Sequence, residues 1–581
     1  MISKVKLFVI LGIVLVVVVV AVIVGVVVHK NSDDSDSDGD GTKIDDFVVQ
    51  TECGPVKGIT ERVLAFSTVK NVTTYVYKGI PYAKPPVGDL RWAPPVRLSD
   101  DKRNCWKGTF IAKTFGNKCA QVVKGKTVGS EDCLYLNVHT PNLTGNLPVF
   151  VWIHGGGLMN GEGETYGYSP DSEFVASMNI VSVSINYRLS AFGFLTLKEL
   201  RKNGTDGNYG IMDQILVLKW IQSNIKNFGG DPNSVTLCGE SSGGTAIFAL
   251  LASPLADGLF HKAIPMSGSP KFEKSYIDAE NENRIFINNS KCRTFNTSDE
   301  IRTCLYGLNT EEVNQAVPGQ VYPYWDGPDL FDFPTKGFLA GALVVVDGNV
   351  VPKPPKNLSQ INFNSATNVS ILMGYTAQEI NVEPVKRFIG ENASSEVKEF
   401  IKGRLDNFRS KFMNEVWDDL YKSQTENLTT DREAQHLYET MATDVRVSCP
   451  TNKLAKDFRK SKHHNVYQYV VTNAPATPII APPIYWFNAF HIWDTYALFG
   501  YKSIIFVMKH SVSGSDIEFM KSIRATVLKF MKEGSVDWKT TQTGIFNQDG
   551  GVTVINDDYQ QRQCEFWNDA KNGFVPYAWI N

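Results

Sequence analysis

The segment Gly239-Glu240-Ser241-Ser242-Gly243 constrains this chain more than any other, because it joins an apolar strand to a helix within one turn. It follows the run Val235-Thr236-Leu237-Cys238 and leads into the helix-like stretch Thr245 to Ala252. In that context a G-x-S-x-G turn lifts its serine hydroxyl above the end of a sheet, the glycines allowing the sharp change of direction. The backbone N–H of Ser242, at the helix start, then faces the place where an oxyanion would form. Such a serine acts as a nucleophile only if the chain also supplies oxyanion donors, a base and an acid.

The surrounding pattern is that of an α/β fold with a large, mostly parallel sheet. Leu147 to Ile153, Ile180 to Ile185, Val235 to Cys238 and Val369 to Met373 are apolar runs of strand length without charged residues. Strands of this kind are covered on both faces, as in a parallel sheet flanked by helices. Between them, Ile211 to Asn224 carries helical spacing, with Ile215, Leu218 and Ile221 on one side. The cluster Phe228-Gly229-Gly230-Asp231-Pro232 ends that helix before the elbow strand. Pro270 to Val350 is expected to be an irregular, aromatic insertion over the carboxyl edge of the sheet.

The N-terminus predicts export. Leu7 to Val28 is an uncharged run of 22 residues, about 33 Å as a helix and enough to cross a bilayer core. Lys4 and Lys6 precede it and an acidic Ser/Asp tract follows, so the basic flank predicts a cytoplasmic N-terminus. The reading is a cytoplasmic stub at 1–6, a transmembrane signal anchor at 7–28, an acidic stalk at 29–46 and a catalytic domain at 47–581. Single-pass type II topology, with the membrane as a partner through the N-terminal helix, follows from it. A cleaved signal peptide and a secreted product are the alternative. A net charge of −3 with no basic stripe excludes nucleic acid as a partner.

Nine cysteines fit an oxidising compartment. Cys119 with Cys133 and Cys292 with Cys304 bracket short loops, whereas Cys449 and Cys564 would close a long one. Cys238, in the elbow strand, reads as a buried free thiol, and the sequence leaves the pairing of Cys53 and Cys105 open. Sequons at Asn71, Asn142, Asn203, Asn288, Asn296, Asn357, Asn368, Asn392 and Asn427 suit glycosylation during export.

Oxyanion donors are available at His154-Gly155-Gly156-Gly157, directly after a buried strand, where glycines let backbone N–H groups approach an anion closely. With serine early in the chain, the base belongs late. His463 and His464 lie in a charged, solvent-facing run, and His510 follows Lys509. His491 closes the aromatic segment Trp486-Phe487-Asn488-Ala489-Phe490. The acid cannot be chosen from the residues alone, because many carboxylates lie between 242 and 491.

Gly79-Ile80-Pro81-Tyr82-Ala83, Pro85-Pro86-Val87-Gly88, Glu131-Asp132-Cys133-Leu134-Tyr135-Leu136-Asn137-Val138 and Asn186-Tyr187-Arg188 accompany the turn cluster and the elbow in order. In these motifs the chain, from about residue 47 onward, resembles the type B carboxylesterases, the carboxylesterase/cholinesterase group of the α/β-hydrolase fold. The resemblance implies a serine carboxylic ester hydrolase that works through an acyl-enzyme and needs no metal or cofactor. It puts the nucleophile on Ser241, the acid on Glu379 and the base on His491. Oxyanion donors fall on Gly156, Gly157 and Ser242, the last usually alanine in the family. It also implies disulfides Cys119–Cys133, Cys292–Cys304 and Cys449–Cys564, and ion pairs Arg91–Glu131 and Arg188–Asp213. The sequence departs from the family at Ile380 and Ile492, where glycine usually follows the acid and the histidine. If those glycines take positive φ, the local backbone is expected to differ here. The loop Ala120 to Asp132 lacks the aromatic residue that binds quaternary ammonium in cholinesterases, so a general small-molecule ester is the expected substrate. The rival expectation, a non-catalytic membrane adhesion protein of the same fold, fits less well because serine, acid and histidine are all present. Oligomeric state is left open.

Overall fold

The computed structural model describes residues 47–568 apart from 67–69, 202–206, 269–271, 273, 318–342, 355–368, 380–419, 422–430, 461–464, 478, 482–483, 487 and 508–511. The chain divides into the units Met1–Asp46 and Phe47–Asn581, and only the second contains described residues.

Eleven strands form its main sheet: β1 Ile59–Ala65, β2 Lys70–Pro81, β3 Tyr135–Thr140, β4 Leu147–Ile153, β5 Val181–Ile185, β6 Gly230–Glu240, β7 Lys262–Met266, β8 Ser370–Thr376, β9 Val466–Val471, β10 Thr543–Phe546 and β11 Val552–Ile555. Their order across the sheet is β11-β10-β9-β8-β7-β6-β4-β5-β3-β2-β1. From β5 to β10 every neighbouring pair is parallel, and antiparallel strands flank that block on both sides. The chain winds from β4 outward to β5, then returns to place β6 on the other side of β4. That reversal opens a crevice at the carboxyl ends of β4 and β6, where ligands bind in sheets of this type.

The apolar runs form strands because they are buried on both faces. All five residues of β5 and the last five of β4 are buried. Helices α1 Ser172–Met178, α2 Tyr209–Asn224, α3 Ser242–Ala252, α4 Trp493–Phe499 and α5 Gly514–Glu533 are set among them. Two large apolar clusters hold the layers, one built on Val151, Val183 and Leu237, the other on Phe150, Trp152 and Cys238. Neighbouring residues of the same strands thus serve opposite faces. In α2 nearly every position is buried, Asp213 included, because Arg188 neutralises it through Nε, Nη2 and the backbone N–H at 2.9, 2.7 and 3.0 Å.

The region from 270 to 350 is more regular than its sequence suggests. Its described parts hold helices Tyr276–Asn289, Ser298–Tyr306 and Thr310–Ala316. Thr297 with Glu300 and Asn309 with Glu312 form capping boxes that start the second and third.

The expectation of a membrane anchor is corrected. No helix among the described residues is long and apolar enough to cross a membrane. The longest, α5, is amphipathic, carrying Asp516, Glu518, Lys521, Arg524, Lys529, Lys532 and Glu533. The membrane partnership and type II topology are therefore withdrawn; the run 7–28 itself lies outside the described residues.

Four disulfides are present: Cys53–Cys105, Cys119–Cys133, Cys292–Cys304 and Cys449–Cys564. Cys238 is a buried thiol, and burial pushes its pKa up. Arg91 and Glu131 form a two-pronged pair at 2.6 Å.

Candidate active site

Ser241 stands between β6 and α3 with φ 60° and ψ −126°. The strain sits on the serine itself, while its glycines permit close approach. A Cβ on Gly243 would come 2.1 Å from the Ile153 carbonyl oxygen, so strand β4 and helix α3 can cross only over a bare backbone. Met266, at the end of β7, accepts the Ser241 N–H at 2.9 Å and fixes the turn. Ser241 is 1% exposed, and its Oγ has no hydrogen-bond partner among the described residues.

Beside it, the loop after β4 carries Gly156 at φ 114° and Gly157 at φ 66°, conformations that suit glycine. The backbone ladder sets the spacing of the two segments, since Gly239 pairs with Ile153 in register. Ser242 begins α3 immediately after the serine, so its N–H is one of the unpaired donors at the helix start.

Glu379 and His491 come together from distant parts of the chain. Gln378 and Phe490, their immediate neighbours, form a β-bridge, and the Gln378 N–H donates to Ala489 at 3.1 Å. This clamps the two backbones so that Glu379 Oε2 meets His491 Nδ1 in a very short contact. The other oxygen, Oε1, accepts the Ser267 hydroxyl at 2.5 Å and the Thr376 N–H at 2.7 Å. A carboxylate held by several donors is fixed in orientation.

Glu240, fully buried next to the serine, makes a contact with His491 that its position in the sequence does not disclose. Its Oε1 lies 3.0 Å from His491 Nε2, while Oε2 accepts the Tyr168 hydroxyl. The imidazole is therefore held between two carboxylates. Burial alone would lower its pKa, but Glu240 and Glu379 together raise it well above the usual histidine range. No periodicity or spacing marks such a contact; an acid at the end of an otherwise apolar buried strand was the available signal.

Ile492 keeps the left-handed conformation, at φ 71° and ψ 0°. The backbone after His491 does not rearrange to suit a β-branched residue; the residue is held in a disfavoured region instead. Ile380 lies outside the described residues, as do His463, His464 and His510. Among the sequons, Asn71, Asn142, Asn288 and Asn296 are exposed, whereas Asn203, Asn357, Asn368, Asn392 and Asn427 lie outside the described residues.

Chemically, the site offers an unengaged hydroxyl, a glycine loop and a helix start beside it, and an imidazole paired to a fixed carboxylate, parts that suit acyl transfer. Comparison with known proteins gives the same direction. A family model described as the carboxylesterase family matches residues 45–567. Carboxylesterase 1F of Mus musculus is 30% identical over 573 residues, covering 91% of this chain and 95% of that protein. Para-nitrobenzyl esterase of Bacillus subtilis (strain 168) is 42% identical over 232 residues, covering 39% of this chain and 44% of its own. A solved structure of PNB esterase aligns with a TM-score of 0.66 at 27% identity, over 89% of this chain and 99% of that one.

Proposed function

This chain belongs to the carboxylesterase family, serine hydrolases that cleave esters through an acyl-enzyme, and from that premise we propose that Ser241 is the nucleophile, His491 the base and Glu379 the acid. The observation that carries the assignment is the Glu379–His491 pair at the mouth of the Ser241 elbow. Once it has lost its second proton to solvent, the neutral His491 turns Nε2 from Glu240 to Ser241 Oγ and takes its proton as Oγ bonds to the ester carbonyl carbon. The carbonyl oxygen becomes an oxyanion held by the N–H groups of Gly156, Gly157 and Ser242. Collapse breaks the bond to the alcohol, which leaves with the proton from His491. Water then attacks the acyl carbon, giving one proton to His491, and the acid departs as Ser241 Oγ is reprotonated. Glu379 keeps the imidazole in the required tautomer and stabilises its cation.

The substrate is a general carboxylic ester. The Cys119–Cys133 loop supports this, because it folds into a short hairpin, Gln121–Val123 with Lys126–Val128, that offers no aromatic face to a quaternary ammonium. Residues 47–581 form the catalytic domain, its disulfides suit an oxidising compartment, and the exposed sequons Asn71, Asn142, Asn288 and Asn296 are acceptors for glycans. A fluorophosphonate probe and p-nitrophenyl esters of graded acyl length test the reading. Wild type should label and turn over, and Ser241→Ala should do neither. Equal labelling of Ser241→Ala would exclude this serine.

A further inference from the structure

We propose that the side-chain hydroxyls of Ser242 and Tyr187 are positioning groups that hold the oxyanion loop, one at each of its ends. This rests on the nucleophile and oxyanion donors assigned above. The loop Gly155-Gly156-Gly157 is bounded by His154 and Leu158. Gly156, Gly157 and Leu158 all have positive φ, at 114°, 66° and 58°. Such a run of left-handed residues keeps one shape only where its surroundings over-determine it.

The surroundings converge on Ser242, which is wholly buried. Its Oγ accepts the Leu158 N–H at 3.0 Å, tying down the far end of the loop. The other end is held by Tyr187, equally buried. Tyr187 in turn donates to the His154 carbonyl at 2.8 Å, and its ring stacks on the His154 imidazole at 4.5 Å. The two bonds therefore hold the glycine loop from both ends, Ser242 at the Leu158 N–H and Tyr187 at the His154 carbonyl. Every member is buried, so each bond is made in a medium of low dielectric where an unmade one is costly.

The geometry gives one residue two tasks. The Ser242 backbone presents one oxyanion donor, while its side chain fixes the loop that carries the other two. All three N–H groups are thereby set relative to a single Cα. An alanine at 242 would preserve the backbone donor yet leave the Leu158 N–H without this partner. The loss should fall on the transition state, because the oxyanion exists only there.

The test uses the full chain carrying Ser242→Ala and, separately, Tyr187→Phe, which cuts the bond to His154 while sparing that between Leu158 and Ser242. With p-nitrophenyl butyrate, Ser242→Ala should lose about tenfold in kcat with KM within twofold. Inhibition by a trifluoromethyl ketone, whose adduct places an oxyanion in the hole, should weaken by the same factor. Tyr187→Phe should move both quantities in the same direction by a smaller factor. Wild-type kcat and ketone affinity in Ser242→Ala would overturn the proposal, as would an effect confined to KM or to melting temperature. If Ser242→Ala does not fold, Tyr187→Phe decides by the same two readings. Fluorophosphonate labelling of Ser241→Ala would instead refute the underlying site assignment, so the two failures are distinguishable.

Discussion

Ile492 offers a direct measure of stored backbone strain, because the contribution of its side chain can be cancelled. The residue opens helix α4 at φ 71° and ψ 0°, half-buried against the cluster containing Phe490 and Trp493. Holding a non-glycine residue in that region costs about 1–2 kcal/mol. Ile492→Ala removes the packing beyond Cβ and keeps the strain; Ile492→Gly removes the same packing and releases it. Glycine also gains unfolded-state entropy, which opposes the release by roughly 0.4–1 kcal/mol. The difference leaves Ile492→Gly more stable than Ile492→Ala by about 0.5–1 kcal/mol, although both fall below wild type if the lost packing exceeds the strain. Urea unfolding followed by tryptophan fluorescence reads this as a higher midpoint for the glycine variant at equal m. At an unstrained helical position the order is the reverse, with alanine ahead by roughly 0.5–1 kcal/mol. An alanine variant as stable as the glycine variant, or more so, refutes the strain argument.

Glu240→Gln removes one of the two carboxylates that raise the His491 pKa. Since the base must be neutral to act, activity rises with pH as the imidazolium loses its proton, and the variant should move the acid limb of kcat/KM to lower pH; an unmoved limb would show that Glu240 does not govern the titration. Burial pushes Asp444 up to about 8, against a hydrogen bond from Tyr421 that lowers it. The folded state keeps that proton between about pH 4 and 8 while the unfolded chain releases it, so this residue's contribution to stability declines as pH rises through that window. Asp444→Asn should therefore gain on wild type from pH 4 to 8, read as a shift in urea midpoint, and a constant difference across the window would contradict the buried proton. Asp213→Ala leaves Arg188 charged and unpaired in the core, at a cost of about 3–5 kcal/mol, and a loss under 1 kcal/mol in the same assay would mean the pair is dispensable.

Strands β4, β5, β8 and the apolar part of β6 were legible because those runs lack charge, and that absence is the direct result of burial on both faces. The serine and glycine loop were legible for a related reason: each follows such a strand immediately, so local sequence carries their placement. Glu379 was not legible from its surroundings, since what distinguishes it is a contact with His491 across 112 positions and with a serine on another strand end. Only resemblance pointed to it. The helices between 276 and 316 could have been read from the Thr297–Glu300 and Asn309–Glu312 caps, which aromatic content nearby obscured. Ile492 shows the opposite error: a residue rule suggested that the backbone would yield, whereas tertiary context held the conformation and left the strain on the residue. An apolar run near the N-terminus suggested an anchor, and the described helices provide none that could serve.

The split of the site between β6 and the segment after β9 has a consequence for synthesis. Ser241 and the glycine loop leave the ribosome about 250 residues before His491, roughly 12–50 s at ordinary elongation rates. On the roles proposed for Ser241 and His491, the nascent chain carries throughout that interval a nucleophile without its base. Its serine stays inert toward the esters it meets until almost the whole domain has been made, so hydrolysis begins only on a chain committed to its final fold.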